Sequence, residues 1–335
     1  MTTMTAQTPR QARFFEGPRF EYLPVALFGS VMGLTGLSVA WQLAARRFGL
    51  PGLVADGIGW AALAAFLALA LAYGTKAVTA WPTVVAEFRH PIAGNLFGTV
   101  LISLLLLPLV IVRISPLLAQ GIWILASAGM VVFAVVIVSR WMSSRQQVAH
   151  ATPAWIVPVV GLLDIPLAAP ALGLPHTGTL TLFALSVGLF FAVPLFTLIF
   201  ARLLFEEPLA PAMRPTLMIL VAPFMVGFSS YASTLGRIDA FAEGLFLVGL
   251  FVFVILIGLL RDLPRCCPFR VSWWAVSFPA AAAAVAALRY ADHAQIGLAD
   301  GLALLLLAFA TGLIGALALR TLVGIVRGEL RALSG

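Results

Sequence analysis

Charge is what this 335-residue sequence most lacks. Asp, Glu, Lys and Arg together make up 10% of it, against roughly 25% in an ordinary soluble domain. With 62% hydrophobic residues, the chain carries more apolar surface than a water-soluble core of this length can bury. A soluble enzyme is therefore excluded. Cysteine is nearly absent: the two present, Cys266 and Cys267, are adjacent, a spacing that suits neither a mutual bridge nor a zinc site. Both are expected to be reduced and cytoplasmic. The four histidines, His90, His150, His176 and His293, fall in connections or at the ends of apolar runs, where they offer no haem or metal centre within a membrane. No zinc motif, Gly-rich phosphate loop or nucleophile elbow is present. Neither catalysis nor ATP-driven pumping has residues to run on, and no cofactor or metal is expected. The 29 glycines and 21 prolines follow no period, which excludes a collagen-like chain.

What the sequence does hold is a series of long apolar runs. A membrane-crossing helix needs about 20 such residues, whereas barrel strands alternate over about ten. The fold class is an all-α polytopic membrane protein. Ten spans are expected near 23–45, 53–75, 92–112, 117–138, 155–174, 178–201, 214–234, 240–260, 272–290 and 297–320. Residues 1–22 read as a polar N-terminal tail, 23–320 as the ten-helix transmembrane domain, and 321–335 as a C-terminal tail. The first tail, with Arg10, Arg13, Glu16, Arg19 and Glu21, does not read as a cleavable signal peptide.

The net charge of +7 is distributed unevenly. Of the 20 Lys and Arg, only Arg46, Arg47, Arg113, Arg237 and Arg289 fall on the side opposite the termini. The positive-inside rule then places both termini in the cytoplasm of a multi-pass protein of the cell (inner) membrane. The basic excess thus needs no nucleic acid to explain it.

Prolines alternate as well. Odd spans hold Pro24, Pro108, Pro158, Pro166, Pro170, Pro223 and Pro279, whereas even spans hold only Pro194. Pro24 lies in a first turn, where it is harmless. Interior prolines free a carbonyl and kink a helix, and in lipid such helices need protein or water as neighbours. The odd helices are expected to form an inner ring around a pore and the even helices an outer ring, as five hairpins. The freed carbonyls should turn toward Ser or Thr hydroxyls or water.

Two interior residues attract attention. Asp164 is the one ionisable residue deep in a span, and an intramembrane acid is a functional candidate by default. It is either buried at a helix contact, protonated or hydrogen-bonded to Ser, Thr or Arg, or a site of proton coupling. Phe278 stands at a proline in Trp274-Ala275-Val276-Ser277-Phe278-Pro279, followed by the small residues Ala280 to Ala284. A large ring on a thin helix can plug a narrow path, although 24 phenylalanines make a core position equally natural.

Five segments in order resemble the tellurite-resistance/dicarboxylate transporter family, which includes bacterial tellurite-resistance proteins and the slow anion channels of plant guard cells. They are Phe28-Gly29-Ser30-Val31-Met32-Gly33, Glu87-Phe88-Arg89-His90-Pro91, Phe205-Glu206-Glu207-Pro208 with Arg214-Pro215-Thr216, Ala222-Pro223 with Ser229 and Tyr231, and Trp274 to Pro279. The likeness runs from about residue 20 to about 325. It implies a homotrimer with one pore per protomer, closed by Phe278 as the gate with Gly29 as its close neighbour. On this reading Gly29, Gly33, Pro108, Pro223, Ser229 and Pro279 line the pore. No fixed cation falls in the middle of the odd spans, so anion attraction rests on mouth charges such as Arg89 and Arg214 and on weak donors such as Ser229. The expected partners are small inorganic or organic anions and the lipid bilayer, and the expected function is a passive, gated channel for small monovalent anions. The alternative is a proton-coupled or facilitative exporter of C4-dicarboxylate, tellurite or sulfite, with Asp164 as the proton site.

Overall fold

The computed structural model describes residues 20–334, the side chains of Pro264 and Cys266 excepted. The expected N-terminal tail, with Arg10, Arg13 and Arg19, therefore lies almost wholly outside the described residues. Ten helical spans are long and apolar enough to cross a membrane: Val25–Phe48, Leu53–Thr79, Ala93–Ile111, Pro116–Ser143, Pro153–Leu172, Gly178–Phe205, Pro211–Leu235, Ala240–Leu260, Val271–Ala294 and Gly297–Val326. Four even spans run several residues further than their apolar cores require. The last one continues into a turn at Gly328 and a short helix, Leu330–Ser334, rather than ending at 320. There Leu333 is buried against Gly324, and Arg320 bonds Glu329 at 3.0 Å.

Burial separates the two sets. In the odd spans 67–83% of the central window is buried, but in the even spans only 17–39%. Span 1 packs on span 3, span 3 on span 5, span 5 on span 7, span 7 on span 9, and span 9 on span 1. The odd spans thus form a closed cycle of contacts, with the even spans outside it presenting residues such as Leu71, Leu125, Phe190, Phe251 and Leu305.

The prolines mark the places where the helical ladder of the odd spans is interrupted. Each odd span begins with a 3₁₀ segment: Val25–Phe28, Ala93–Phe97, Pro153–Ile156, Pro211–Val221 and Val271–Val276. Pro108, Pro158, Pro166 and Pro223 stand in the first turn of the α-helical segment that follows a break. A first-turn N–H has no intrahelical acceptor, so proline costs little there. Pro170 lies inside its short helix, and Pro215 inside the 3₁₀ segment of span 7. Hydroxyls do serve carbonyls, chiefly those of their own spans: Thr99 donates to Leu96 O (2.6 Å), Ser103 to Thr99 O (2.7 Å) and Ser277 to Trp274 O (2.7 Å), with Val25 O (3.3 Å), Phe28 O (3.2 Å) and Gly29 O (3.2 Å) of span 1 as the longer alternatives.

Spans 1 and 9 approach most closely, through small residues. A Cβ on Gly33 would overlap the Oγ and Cβ of Ser277, and one on Gly36 would stand 2.9 Å from Ala281 Cβ. Both meetings are with atoms that cannot swing away. Gly33→Ala is expected to destabilise the protein by about 1–3 kcal/mol, read by thermal unfolding in detergent. Gly29→Ala is the control: its Cβ meets only Trp274 O, at 3.8 Å, so its unfolding should stay within about 0.5 kcal/mol of the parent. Equal losses in the two variants would refute the close contact.

A buried ion pair fixes the end at which the odd spans begin, here called the near side. Lys76 Nζ donates to Glu87 Oε2 (2.7 Å) and to Leu23 O (2.7 Å), and Tyr73 OH donates to the same Glu87 oxygen (2.9 Å). The other oxygen, Oε1, accepts the N–H of Val25, the first residue of span 1 (2.7 Å). Glu87 is thus the tie between spans 1 and 2, and the adjoining Phe88 carbonyl accepts from Arg140 of span 4 (2.9 Å). Removing one partner of such a pair strands the other charge. Lys76→Met is expected to cost about 3–5 kcal/mol, with much of it regained in the Lys76→Met/Glu87→Gln double variant. If the double variant is no more stable than the single one, the stranded charge is not the cause.

Candidate functional site

Two cavities lie inside the cycle of odd spans, and each takes residues from all five of them. The near-side cavity, about 100 Å³, is lined by Gly29, Thr99, Asp164, Thr216, Phe278 and Pro279 among others. The far-side cavity, about 50 Å³, is lined among others by Gly36, Val226, Ser229, Phe278, Val285 and Arg289. Only Phe278 and Val226 belong to both linings. They form the wall between the two spaces.

The backbone beneath Phe278 is held from two directions. Ser277 Oγ donates to Gly29 O of span 1 or to Trp274 O (2.7 Å), and Trp274 Nε1 donates to Thr321 Oγ1 of span 10 (3.0 Å). What remains free is the ring itself, 8% exposed between the two cavities. The glycine beside it is Gly36. A Cβ built there would stand 3.7 and 3.9 Å from two ring carbons. This differs from the expectation for Gly29, which shares the near-side lining but would place no Cβ within 4 Å of the ring. Gly36 is seven residues further along the helix, two turns on the same face, and so reaches the level of the ring.

The other expected pore residues divide. Gly29 and Pro279 line the near-side cavity and Ser229 the far-side one, whereas Gly33, Pro108 and Pro223 line neither. Gly33 is a helix contact, and the two prolines open helical segments. Arg89 and Arg214 are both exposed, Arg214 two residues before the near-side residue Thr216. Tyr231 faces outward to the loop that follows its span, where its hydroxyl donates to Asp239 Oδ2 (2.7 Å). That bond, with the amides of Ala242 and Phe241 and the Arg237 charge, holds the Asp239 carboxyl below the usual carboxylate range.

Asp164 ends a 3₁₀ segment, Gly161–Asp164, and is 2% exposed. Its Oδ1 has no hydrogen-bond partner among the described residues. Burial fits the helix-contact expectation, but that oxygen shows no bond to Ser, Thr or Arg. The carboxyl instead lines the near-side cavity beneath Phe278.

Arg289 is the residue that sequence reasoning missed. It was counted as a charge outside the membrane, but it belongs to the far-side lining. Its Nη1 donates to Ser229 O (3.2 Å) and Ser233 Oγ (2.9 Å), and its Nε has no partner. The signal lay in the spacing. Phe278, Ala282, Val285 and Arg289 all line this cavity and recur at four, seven and eleven residues, one stripe of an α-helix. Among the described residues, no group of three or more His, Cys, Asp and Glu could hold a metal ion.

Residues 22–322 match the family described as voltage-dependent anion channel. The chain is 27% identical over 308 residues to the S-type anion channel SLAH3 of Arabidopsis thaliana, covering 90% of this chain and 48% of that protein. It is 27% identical over 278 residues to SLAH2 of the same plant, covering 81% and 53%. The tellurite resistance protein TehA homolog of Haemophilus influenzae is 27% identical over 311 residues, 92% of each chain. The chain therefore spans about half the length of the two plant relatives and most of the bacterial one.

Proposed function

The chain belongs to the voltage-dependent anion channel family, and from that premise we propose that it is a passive anion channel whose path runs through the two cavities and is closed by Phe278. The observation that carries this reading is the shared lining: Phe278 and Val226 border both of the spaces lined by the odd spans. Apolar closure of this kind stops ions by excluding water as well as by blocking space. Opening needs a rotamer change of the ring, and Gly36 leaves room beside it.

The permeant ions proposed are small and monovalent. The near-side walls offer hydroxyls, aliphatic carbon and the Asp164 carboxyl, with no Lys or Arg in the lining; such a path favours anions that shed water cheaply: nitrate and iodide over chloride, and chloride over fluoride. Exposed Arg89 and Arg214 raise the anion concentration on their side. The Lys and Arg asymmetry supports cytoplasmic termini in an inner membrane. A homotrimer follows from the family resemblance and has the apolar outer face of the even spans available to it. The test is passive flux from proteoliposomes of purified protein, with chloride, nitrate and malate compared. Flux no faster than from empty vesicles, in the parent and in the variant described below, would refute it.

A second reading is favoured by one observation, the unpartnered carboxyl of Asp164 in the near-side cavity. There the protein is an exporter of C4-dicarboxylate, tellurite or sulfite with Asp164 carrying the coupled proton. Such a carrier builds a substrate gradient from a pH gradient, which a channel cannot do.

A further inference from the structure

We infer that the far-side cavity contains an anion-binding site built on Arg289 and the Ser229 hydroxyl, taking a small monovalent inorganic anion. The inference rests on the channel reading only for the site's place along a permeation path.

The argument begins with charge. A guanidinium in a cavity wall, withdrawn from bulk water, needs a counter-charge. Arg289 has none among the described residues, because every carboxylate at its end of the molecule is engaged elsewhere. Asp56 pairs with Arg113. Asp239 takes Tyr231 and lies 3.4 Å from Arg237. Glu243 faces His293 at 3.6 Å. Asp292 stands one helical turn beyond Arg289, yet it and Asp300 both bind Arg47, at 3.3 and 2.5 Å. A buried cation without a carboxylate in the wall of a cavity forms a site complementary to an anion.

The donors agree. The two bonds to Ser229 O and Ser233 Oγ use Nη1 and fix the guanidinium plane. Nε–H has no protein acceptor, and Ser229 Oγ, in the same lining, has no partner either. One hydroxyl and one charged N–H are what a halide or nitrate requires, and charge-assisted bonds of this kind are the stronger ones. A space of about 50 Å³ with one lining cation does not suit a four-carbon dianion. The site would hold an anion on the far side of the Phe278 ring, ready to pass when the ring moves.

The test is binding, measured without flux. Purified protein in detergent is titrated with bromide at constant ionic strength, gluconate replacing it, and thermal unfolding is followed. The parent should show a saturable rise. Arg289→Gln should shift the midpoint at least tenfold upward. Ser229→Ala keeps the carbonyl that holds Arg289 and guards against misfolding of the first variant; it should shift the midpoint about threefold. Anomalous scattering from crystals soaked in bromide should place the ion beside the Arg289 guanidinium. Identical titrations in the parent and both variants, or no bromide at Arg289, would overturn the site. Bromide bound at Arg289 without any conduction would sink the channel reading and leave the site standing. Conduction without bromide there would do the reverse.

Discussion

Phe278→Ala is expected to raise passive chloride and nitrate flux at least tenfold over the parent in matched proteoliposomes. The ring and Val226 are the residues common to the two cavities, and Ala removes the larger of them. A tenfold gain requires only about 1.4 kcal/mol off the barrier, which is modest for an ion that no longer crosses a dry constriction. Phe→Ala in a packed core costs about 3–5 kcal/mol of stability. Part of that cost is avoided here, because the ring has open space on two sides. Monodispersity and orientation of the variant must still be matched to the parent. Phe278→Leu should fall between the two. Flux from Phe278→Ala equal to that of the parent would mean that the wall between the cavities is not the barrier.

Asp164→Asn separates the two functional readings with effects nearly as large. An ionised carboxylate about 5 Å from a permeating anion opposes it by roughly 3 kcal/mol at an effective dielectric constant near 20, about a hundredfold in occupancy. In a channel, therefore, flux of the parent should rise as the pH on the near side falls and the carboxyl gains its proton. Asp164→Asn should conduct at the raised level throughout and lose that dependence. In a proton-coupled carrier the same variant should lose malate accumulation driven by a pH gradient. The elements packed around Gly161–Asp164 bring few other charged or titratable groups. Arg202 lies near the far end of its helix from Gly188, which meets Leu163; Arg140 lies about three turns beyond Met130, which meets Gly161; and Tyr231 is bonded to Asp239. Parent and Asp164→Asn behaving alike at every pH, in both assays, would remove Asp164 from the mechanism.

The division between what was readable in one dimension and what was not follows the physics of each feature. Ten spans, their limits to a few residues, and the greater burial of the odd ones came from the sequence. Hydropathy over about 20 residues and the lipid's intolerance of unpaired backbone groups act locally, on each segment by itself. Family membership was legible in the same way, through short segments such as Glu87 to Pro91 and Trp274 to Pro279, although the reason for Glu87, a tie between Val25 and Lys76, was not.

The tertiary structure alone decided what each side chain faces. Gly36 rather than Gly29 lies beside Phe278, because the register of span 1 against span 9 is set by the meeting of Gly33 with Ser277. Arg289 left the tally of outside charges for a cavity wall because its helix continues inward from the membrane surface as one stripe with Phe278. Whether it is compensated depends on where Asp292 and Asp300 turn, and they turn to Arg47. Pro108 and Pro223, at the start of helical segments, line neither cavity. Hydropathy is a property of a segment, whereas a cavity, a gate or an unpaired charge is a relation among side chains brought together by packing.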